Sequence, residues 1–588
     1  MKNYYCNQIT ENILNQEIEL SGWVSKRRDH GGIIFVDLRD YTGIVQLVFN
    51  PEDKELFMKA ESIRSEFIIE VKGVVSDRLE GTINNDLVTG KVEIAVSSLS
   101  ILNKSETPPF KINYYNFNEE QRLQYRYFDM RSDKMQNTIR FRSKLVQTIR
   151  NYFYSKKFVD VETPILTKTT PEGARDYLVP SRVHPREFFA LPQSPQLFKQ
   201  TLMIGGIDRY FQIAKCFRDE DLRSDRQPEF TQLDVELSFT DEEEIIQIIE
   251  ELFILIFKDI MNNNNNLIFE RMSYHDALKD YGCDKPDLRN PLTLKDIKEL
   301  VKKVDFKVFA DHVDNIDSRI VALKVPGGSS LSRKDIDSYT EIVKQFGAKG
   351  LAYFKCENVS DIDNGVISPI KKFLTTEVIQ NILNEVSAKN GDLIFFSADS
   401  IEVVNSSMSA LIKELGSGLN LLSTGWKFLW ILDYPLFEKD AEGSPTSIHH
   451  PFTSPKNNND LSDTDVFKIP SRAYDLILNG NEIGGGSMRI HSKDIQMKVF
   501  ELLNISDEEM NKKFGFFLNA LSFGCPPHGG IAFGIDRLVM LLLGLDSIRE
   551  TIAFPKTQSA SCLLTDAPSS VDEKQLGELS INTIKSIK

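Results

Sequence analysis

Residues 217–234 read FRDEDLRSDRQPEFTQLD, and this charged stretch decides the fold around it. β-Rich sequence on both sides predicts two strands, at residues 210–217 and 229–237, joined by a loop. A hairpin tip in solvent would not need Arg218 and Asp234 at strand positions, where side chains lie on the face of a sheet. The stretch therefore predicts a β-hairpin that presents charged groups to a ligand.

Two further strings precede this hairpin. Residues 158–164 (FVDVETP) indicate a helix-to-strand transition closed by proline, for which a buried structural strand is the simplest interpretation. Residues 170–177 (TPEGARDY) form a polar loop with proline and glycine that could move over a site.

Residues 193–199 (QSPQLFK) place an amide and an ammonium group on the first turn of a helix. Such a pair suits a small carboxylate ligand. A lysine exposed on the surface is the alternative interpretation when the string is taken alone.

Residues 474–489 (YDLILNGNEIGGGSMR) predict a second hairpin. Asp475 and Glu482 lie on either side of its turn, where they could present two carboxylates to Mg²⁺ carrying a triphosphate. The glycine run allows a ligand to approach the backbone closely.

Residues 529–542 (GGIAFGIDRLVMLL) predict a glycine-edged strand that runs directly into an apolar helix. Arg537, at the start of that helix, would direct a cation at phosphate together with the helix dipole. One such string could be a plain strand–helix junction, but five strings in this order are not explained by chance.

The first 107 residues alternate β-rich runs, at 18–24, 32–38, 44–49, 67–75 and 92–99, with one helical segment at 51–64. This spacing predicts a small closed barrel of the oligonucleotide-binding kind. Arg28, Phe35 and Gln46 could hold phosphate, stack on an unpaired base and read a base edge. A solvated turn and a core phenylalanine would account for the same residues.

Beyond the barrel, paired prolines open a linker at 108–133. Periodicity predicts a mixed α/β domain in two parts, 134–285 and 413–588, split by an inserted α+β domain at 286–412. The first part contains a helix at 135–156 and another that starts at Thr240, capped with Glu243 in the reciprocal position.

The composition excludes several classes of protein. The chain of 588 residues is long enough for three to five domains, and its net charge of −15 excludes binding of nucleic acid through uniform basicity. Six separate cysteines indicate neither a disulfide framework nor a zinc site. Without an apolar segment at the N-terminus or a long apolar run, a cytoplasmic protein is expected.

The strings together resemble the three signature motifs of class II aminoacyl-tRNA synthetases. Residues 158–164 are similar to motif 1, 217–234 to motif 2 and 530–537 to motif 3. Four strings narrow the resemblance to the bacterial-type aspartyl-tRNA synthetases of subclass b. They are residues 170–177, 193–199, 449–453 (HHPFT) and 484–489 (GGGSMR). The similarity covers essentially the whole chain.

The resemblance implies an N-terminal OB-fold barrel that binds the anticodon, an antiparallel-sheet catalytic domain and an inserted α+β domain. It also implies a homodimer joined largely through motif 1. The implied reaction joins L-aspartate to tRNA(Asp) through an aspartyl-adenylate, with ATP as substrate and Mg²⁺ as the metal.

The resemblance also assigns roles to individual residues. Arg218, Arg537 and Glu482 are the implied catalytic residues, and Asp475 with Glu482 would hold the metal. The residues implied to bind aspartate are Glu172, Gln196, Lys199, Arg218, Asp234, His449 and Arg489. Those implied to bind ATP are Arg218, Asp219, Glu220, Gln227, Glu482, Gly534, Ile535, Asp536 and Arg537. Those implied to contact tRNA are Arg28, His30, Phe35, Gln46, Gly81 and Arg223.

Two cations, Lys199 and Arg489, would favour aspartate, because a neutral amide would leave them unpaired. Since adjacent histidines cannot both face one ligand, we expect His449 to do so and His450 not to.

Residues 29–32 (DHGG) and Gly81 resemble members of the family that charge both tRNA(Asp) and tRNA(Asn). A synthetase for asparagine or lysine, or a non-catalytic RNA-binding paralogue, is the alternative.

Overall fold

The computed structural model describes residues 4–114, 117–169, 173–462 and 465–584. The chain divides into two compact units. The first runs to Ile139 and includes Ala553–Thr557 and Ser561–Pro568, and the second contains most of the chain from Arg140 onward. Within the described ranges, no helix combines the length and the apolar character needed to cross a membrane.

The first unit is built on a closed five-stranded barrel with the strand order β1-β2-β3-β5-β4. Its elements are β1 (Glu17–His30), β2 (Ile33–Arg39), β3 (Ile44–Phe49), α1 (Lys54–Glu61), β4 (Ile68–Asp77) and β5 (Val92–Asn103). The predicted barrel is confirmed, because the five predicted runs correspond to these strands.

Alternation of buried and exposed residues explains why these segments form a barrel. In β1, the buried residues Ile18, Leu20 and Val24 are separated by even numbers of positions. Because side chains alternate between the two faces of a strand, all three point into the barrel. The turn from β1 to β2 contains Gly31 and Gly32, whose φ values of 62° and 83° are those of a tight hairpin turn.

The segment after the barrel contains two short helices, α2 (Glu119–Gln124) and α3 (Arg126–Asp129). Glu66 of the barrel is buried and accepts hydrogen bonds from Arg39 and Arg131, each at 2.8 Å. The Arg131 guanidinium lies 5.4 Å from the ring centre of Trp23. This ion-pair and stacking arrangement joins the linker to the barrel within the first unit.

The longest helix, α4 (Asp133–Ser155), follows and leads to motif 1. The first part of the larger domain then comprises β6 (Val159–Asp160), β7 (Leu178–Pro180), β8 (Phe188–Ala190), α5 (Gln196–Ile204), β9 (Arg209–Phe217), β10 (Glu229–Ser238), α6 (Glu242–Asp259), β11 (Phe269–Ser273) and α7 (Tyr274–Tyr281).

The inserted segment has its own five-stranded sheet with the order β12-β13-β16-β14-β15. Its elements are β12 (Leu294–Asp296), α8 (Lys307–Val313), β13 (Ser318–Val325), α9 (Arg333–Lys344), β14 (Ala352–Cys356), α10 (Ile362–Gly365), β15 (Val366–Ile367), α11 (Thr376–Glu385), β16 (Asp392–Ser400) and α12 (Ile401–Gly418).

The chain then returns to the main sheet. The remaining elements are β17 (Phe428–Leu432), β18 (Phe437–Lys439), β19 (Pro445–Ser447), β20 (Ala473–Leu478), β21 (Asn481–Met488), α13 (Lys493–Leu502), α14 (Asp507–Leu521), β22 (His528–Gly534), α15 (Ile535–Leu543) and α16 (Glu573–Glu578).

The main sheet has eight strands in the order β11-β17-β20-β21-β22-β10-β9-β6. Neighbouring strands run antiparallel, except at the two edges, where β11 pairs with β17 and β6 with β9 in parallel. The antiparallel sheet that the family resemblance implied is therefore confirmed. The hydrophobic periodicity of the sequence predicted only mixed α/β structure and did not show that the strands are antiparallel.

Helix α6 shows how the sheet is covered. Its residues Ile245, Ile249, Leu252, Phe253 and Ile256 are buried in the same core cluster as sheet residues. This i, i+4, i+7 spacing places them on one side of the helix. The helix is capped by Asp241, which accepts from the Glu244 amide, so the predicted Thr240 cap was wrong by one residue.

Candidate active site

A cavity of about 540 Å³ lies where β20, β21, β22 and β10 are neighbours, and the first turn of α5 reaches it. Its lining combines strand residues such as Asp234 and Asp475 with Lys199 from α5 and Arg537 from α15. Motifs far apart in the sequence thus meet at one place.

The glycine run of β21 is required by close packing. A Cβ atom at Gly485 would lie 2.5 Å from an oxygen of Asp475, and one at Gly484 would overlap the ring of Phe533. A side chain at either position would displace a neighbour that lines or supports the cavity. The turn before β21 contains Asn479 and Gly480 with φ values of 50° and 75°, as a two-residue hairpin needs.

Four charged side chains form a buried cluster at one side of the cavity. The Lys199 ammonium lies 3.0 Å from Oδ1 of Asp234 and 3.4 Å from Oε2 of Glu236. Arg489 donates from Nε and Nη2 to the two oxygens of Glu236, at 2.9 and 3.2 Å. The cluster contains two positive and two negative groups, so its charges balance.

Burial and pairing act against each other on these carboxyls. Burial raises the pKa of Asp234, and the nearby Lys199 opposes this shift only in part. Burial also disfavours the ionised form of Glu236, but the charges of Arg489 and Lys199 outweigh it and lower its pKa. Glu236 is therefore the anion that holds both cations in place.

Both adjacent histidines line the cavity, whereas we expected only His449 to face it. Nε2 of His449 lies 2.9 Å from Oδ1 of Asp475, and this carboxylate raises the pKa of His449 against the effect of burial. Nε2 of His450 accepts from Nη1 of Arg489 at 2.5 Å. Burial and then the Arg489 charge lower the pKa of His450 well below its ordinary value, so its ring is neutral.

Three buried polar atoms at the cavity have no hydrogen-bond partner among the described residues. They are Nε2 of Gln196, Nε of Arg218 and Oδ2 of Asp234. The Arg218 guanidinium also lies 5.2 Å from the ring centre of Phe230. Because buried donors and acceptors are normally satisfied, these atoms indicate where a ligand would bind.

The two predicted metal ligands lie in the same cavity. Asp475 accepts from the Tyr434 hydroxyl at 2.9 Å and contacts His449 through its other oxygen. Burial raises the pKa of Glu482, as does the charge of Asp475, while Lys285 and Arg537 oppose the shift. Both carboxylates line the cavity, and carboxylate oxygens of this kind are suited to a divalent cation that also binds phosphate oxygens.

The other end of the cavity holds Arg537. Its Nη1 donates to the Glu482 carbonyl oxygen at 3.0 Å, and its Nη2 lies 3.3 Å from Asp225. Glu220, Gln227 and Gly534, for which we predicted contacts with ATP, also line the cavity.

Some predicted site residues are placed elsewhere. Asp219 pairs with Arg175 across a β-bridge and does not line the cavity, and the side chain of Ile535 is buried in the hydrophobic core. Asp536 lines the cavity, but its carboxylate accepts from Arg142 and from the Thr231 amide at 2.7 Å. The side chains of Ile535 and Asp536 are therefore engaged within the fold, whereas Asp219 lies outside the cavity lining.

Two further predicted residues remain, Glu172 and Arg223. Glu172, with Thr170 and Pro171 of the same loop, lies outside the described residues. Arg223 is exposed in the loop between β9 and β10.

In the first unit, the predicted tRNA residues occupy neighbouring strands of the barrel. Arg28 forms a bidentate ion pair with Asp37 at 2.6 and 2.5 Å and donates to Gln46 at 3.2 Å, so it is not an unpaired cation. Gln46 in turn donates to Glu93 at 2.8 Å. The half-buried Phe35 ring lies 6.3 Å from the ring of His30.

Gly81 is exposed in the segment between β4 and β5, with a φ of 88°. No heavy atom lies within 4 Å of the position a Cβ would occupy there.

Comparison with known proteins identifies the family. Residues 118–558 match the family model of class II tRNA synthetases for aspartate, lysine and asparagine (D, K and N), and residues 18–102 match that of an OB-fold nucleic acid binding domain. The chain belongs to the class II tRNA synthetases. The predicted resemblance and the prediction of a ligase are thereby confirmed.

Relatives agree with this assignment, and solved structures share the fold. The chain is 53% identical over 593 residues to the aspartate–tRNA(Asp/Asn) ligases of the Corby and Paris strains of Legionella pneumophila, with 100% of both chains covered. The asparaginyl-tRNA synthetase of Pyrococcus horikoshii, complexed with asparaginyl-adenylate, has a TM-score of 0.60 at 19% identity, covering 95% of this chain and 98% of that one. The aspartyl-tRNA synthetase of Entamoeba histolytica has a TM-score of 0.58 at 19% identity, covering 94% and 91%.

Sequence reasoning missed two residues of the site, Glu236 and Phe230. Glu236 follows Asp234 by two positions on the same strand, so the period of the strand places both on one face of the sheet. That signal could have identified Glu236. The stacking of Phe230 beneath Arg218 depends on the path of the chain between β9 and β10 and has no comparable signal.

Neutralising Glu236 is expected to destabilise the protein. Glu236→Gln would leave the buried Lys199 and Arg489 with one carboxylate, and breaking a buried ion pair costs about 3–5 kcal/mol. Thermal unfolding should therefore begin at a distinctly lower temperature than in the unmodified protein. Glu229→Gln, at the partly exposed start of the same strand, is the control. Equal unfolding temperatures for the two variants would contradict the role of Glu236.

Proposed function

We propose that the chain is an aspartate–tRNA ligase, which activates L-aspartate with ATP and transfers the aspartyl group to the 3′ end of tRNA. The observation that carries this proposal is the buried cluster of Lys199, Arg489 and Asp234 next to Arg218. In this cluster, Lys199 and Arg489 are cations that can bind a carboxylate. Oδ2 of Asp234, which has no partner among the described residues, can accept a hydrogen bond from an ammonium group. The names of the relatives and the anticodon-binding family of the barrel support the same activity.

The amino acid would lie with its ammonium group against Oδ2 of Asp234, the buried acceptor that has no partner among the described residues. Its side-chain carboxylate would contact Lys199 and Arg489. Since Glu236 already holds both cations, they are oriented before the substrate arrives, which reduces the cost of ordering them. Asparagine would offer a neutral amide to two buried cations, and unpaired polar groups of this kind cost about 1–3 kcal/mol each.

Arg218 would bridge the two substrates. Stacking on Phe230 restrains its guanidinium, and its buried Nε has no partner among the described residues. The α-carboxylate of aspartate attacks the α-phosphorus of ATP, forming the acyl–phosphate bond as the bond to pyrophosphate breaks. A fixed cation between the two anions offsets their repulsion and the charge that develops on the phosphate oxygens.

Arg537 would bind the far phosphates, and Glu220 and Gln227 would contact the adenosine side. Mg²⁺ held by Asp475 and Glu482 would supply positive charge to the triphosphate. In the second step, the ribose hydroxyl of tRNA attacks the acyl carbon and AMP leaves. Lys199, Arg489 and Asp234 hold the aspartyl group during both steps.

Exchange between ATP and pyrophosphate is expected to depend on aspartate. Lys199→Met should raise the KM for aspartate at least about tenfold, because it removes a charge-assisted contact worth about 1.5–3 kcal/mol. The KM for ATP should stay within about twofold, since this lysine lies with the amino-acid cluster. The measurement is steady-state pyrophosphate exchange with aspartate, asparagine and lysine in turn.

The control is Lys215→Met, on the exposed side of β9. Exchange stimulated by asparagine or lysine alone would assign another substrate. Absence of exchange with all three amino acids would favour a non-catalytic RNA-binding protein.

We also propose that tRNA(Asn) is charged along with tRNA(Asp). The relatives are named as ligases for both tRNAs, and the exposed His30 beside Gly31–Gly32 and the open surface around Gly81 support this. The barrel would read unpaired anticodon bases by stacking on Phe35, with Gln46 and Arg28 contacting base edges.

Purified tRNA(Asp) and tRNA(Asn) should both accept radiolabelled aspartate. Phe35→Ala should lower kcat/KM for each tRNA by about 10–100-fold, as expected when one base loses its stacking partner. Pyrophosphate exchange should not change, because Phe35 lies in the other unit of the chain. Tyr41→Ala, an exposed aromatic of the same barrel, is the control.

A failure to charge tRNA(Asn) at high enzyme concentration would restrict the proposal to tRNA(Asp). If Phe35→Ala and Tyr41→Ala lowered charging equally, the stacking role of Phe35 would be refuted.

A homodimer is proposed on the basis of the motif 1 resemblance. The segment after β6 exposes several apolar side chains, which is typical of an interaction surface. They are Ile165, Leu166, Leu178, Phe188 and Phe189.

Light scattering after gel filtration should therefore give twice the chain mass of 67.1 kDa. Phe188→Asp should shift the mass toward the monomer, because a charge would be buried at the interface. Ile316→Asp, an exposed position of the inserted segment, should leave the dimer intact. A monomer in the unmodified protein would refute the proposal.

A further inference from the structure

The junction that leads from α7 into the inserted segment is held firmly in place. Gly282 ends α7 with a φ of 69°, and a Cβ there would lie 2.5 Å from the carbonyl oxygen of Asn405 in α12. At the far end of the junction, Asn290 donates to the Ile412 carbonyl at 2.8 Å. The backbone between these two points is therefore anchored on both sides by the inserted segment.

This junction also packs against the hairpin that carries the predicted metal ligands. A Cβ at Gly480, in the β20–β21 turn, would lie 2.9 Å from Cβ of Asp287. Asp287 is itself fixed by Arg289 at 2.7 Å, and Asp284 lines the cavity. The inserted segment thereby anchors this junction at the edge of the candidate active site.

Lys285 lies at this edge. Its ammonium is 3.6 Å from Asp284 and 3.9 Å from Oε2 of Glu482, both longer than a hydrogen bond. Its side chain is 49% exposed, so the ammonium can move without loss of a close ion pair. The sequence motifs assigned no role to any residue of this junction.

Lys285 and Arg537 converge on one residue. Lys285 approaches the carboxylate of Glu482, and Nη1 of Arg537 donates to the carbonyl oxygen of the same residue at 3.0 Å. The cavity is also lined by several carboxylates: Asp225, Asp284, Asp475 and Glu482. A triphosphate would be repelled there unless more than one cation offset this negative charge.

We propose that Lys285 is a further substrate-binding residue, whose ammonium contacts the β- and γ-phosphates of ATP and, in the reverse direction, pyrophosphate. The junction between α7 and the inserted segment would then contribute directly to nucleotide binding. The inference rests on the proposed function, because it takes the far phosphates to lie beside Arg537.

Equilibrium binding of ATP and of AMP to the full-length protein, measured by calorimetry with Mg²⁺ present, tests this proposal. Lys285→Met should weaken ATP binding about tenfold, since it removes one charge-assisted phosphate contact. AMP binding should stay within twofold, because AMP lacks the β- and γ-phosphates. Lys285→Arg should restore most of the ATP affinity, and Lys349→Met, at an exposed lysine of the inserted segment, should change neither.

Steady-state exchange supplies a second measurement. In Lys285→Met, the KM values for ATP and for pyrophosphate should rise about tenfold, while the KM for aspartate stays within twofold. A thermal unfolding temperature equal to that of the unmodified protein would show that the variant is folded.

The proposal would be overturned if ATP binding were unchanged, or if ATP and AMP binding weakened equally. It would also be overturned if only the requirement for Mg²⁺ rose, because Lys285 would then act through Glu482. If the unmodified protein showed no aspartate-dependent exchange, the proposed function would fail, yet the comparison of ATP with AMP would still test Lys285.

Discussion

The buried ion-pair cluster of Lys199, Asp234, Glu236 and Arg489 is the constraint on which the larger unit depends. Charges in a low-dielectric interior are tolerated only when they are paired and hydrogen-bonded. The members come from helix α5, strand β10 and the residue after strand β21. The sheet order that makes β10 and β21 both neighbours of β22 is therefore also what keeps these charges paired.

The same cluster explains how a site can be rigid and selective together. Glu236 uses both of its oxygens on Arg489 and also contacts Lys199, so the two cations have fixed directions. One oxygen of Asp234 remains without a partner among the described residues. A cluster with equal numbers of positive and negative charges and one acceptor without a hydrogen bond suits an amino acid, because this ligand carries both an ammonium group and a carboxylate. Under the proposed function, the remaining cations, Arg218 and Arg537, would contact the nucleotide.

The net charge of −15 does not prevent such a chain from meeting polyanions. Individual arginines, rather than a broad basic surface, supply the positive charge at the predicted binding sites. Each of these arginines is oriented by a neighbouring group of the protein. Phe230 restrains Arg218, the Glu482 carbonyl restrains Arg537, and Asp37 restrains Arg28. The field that matters for binding is local, since charges beyond about 8 Å are largely screened at physiological salt.

The sequence by itself determined the barrel strands, the β9–β10 hairpin and the strings that line the cavity, because alternation, turn glycines and motif spacing are local properties. It misplaced the cap of α6 by one residue, since Thr240 and Asp241 are both good capping residues. Only the tertiary structure decided that Asp536 holds Arg142, that Asp219 pairs with Arg175, and that both histidines reach the cavity. The reason is that a charged side chain pairs with a group on a neighbouring strand or helix. The order of strands in the sheet determines which element is the neighbour, and that element is often hundreds of residues away in the sequence.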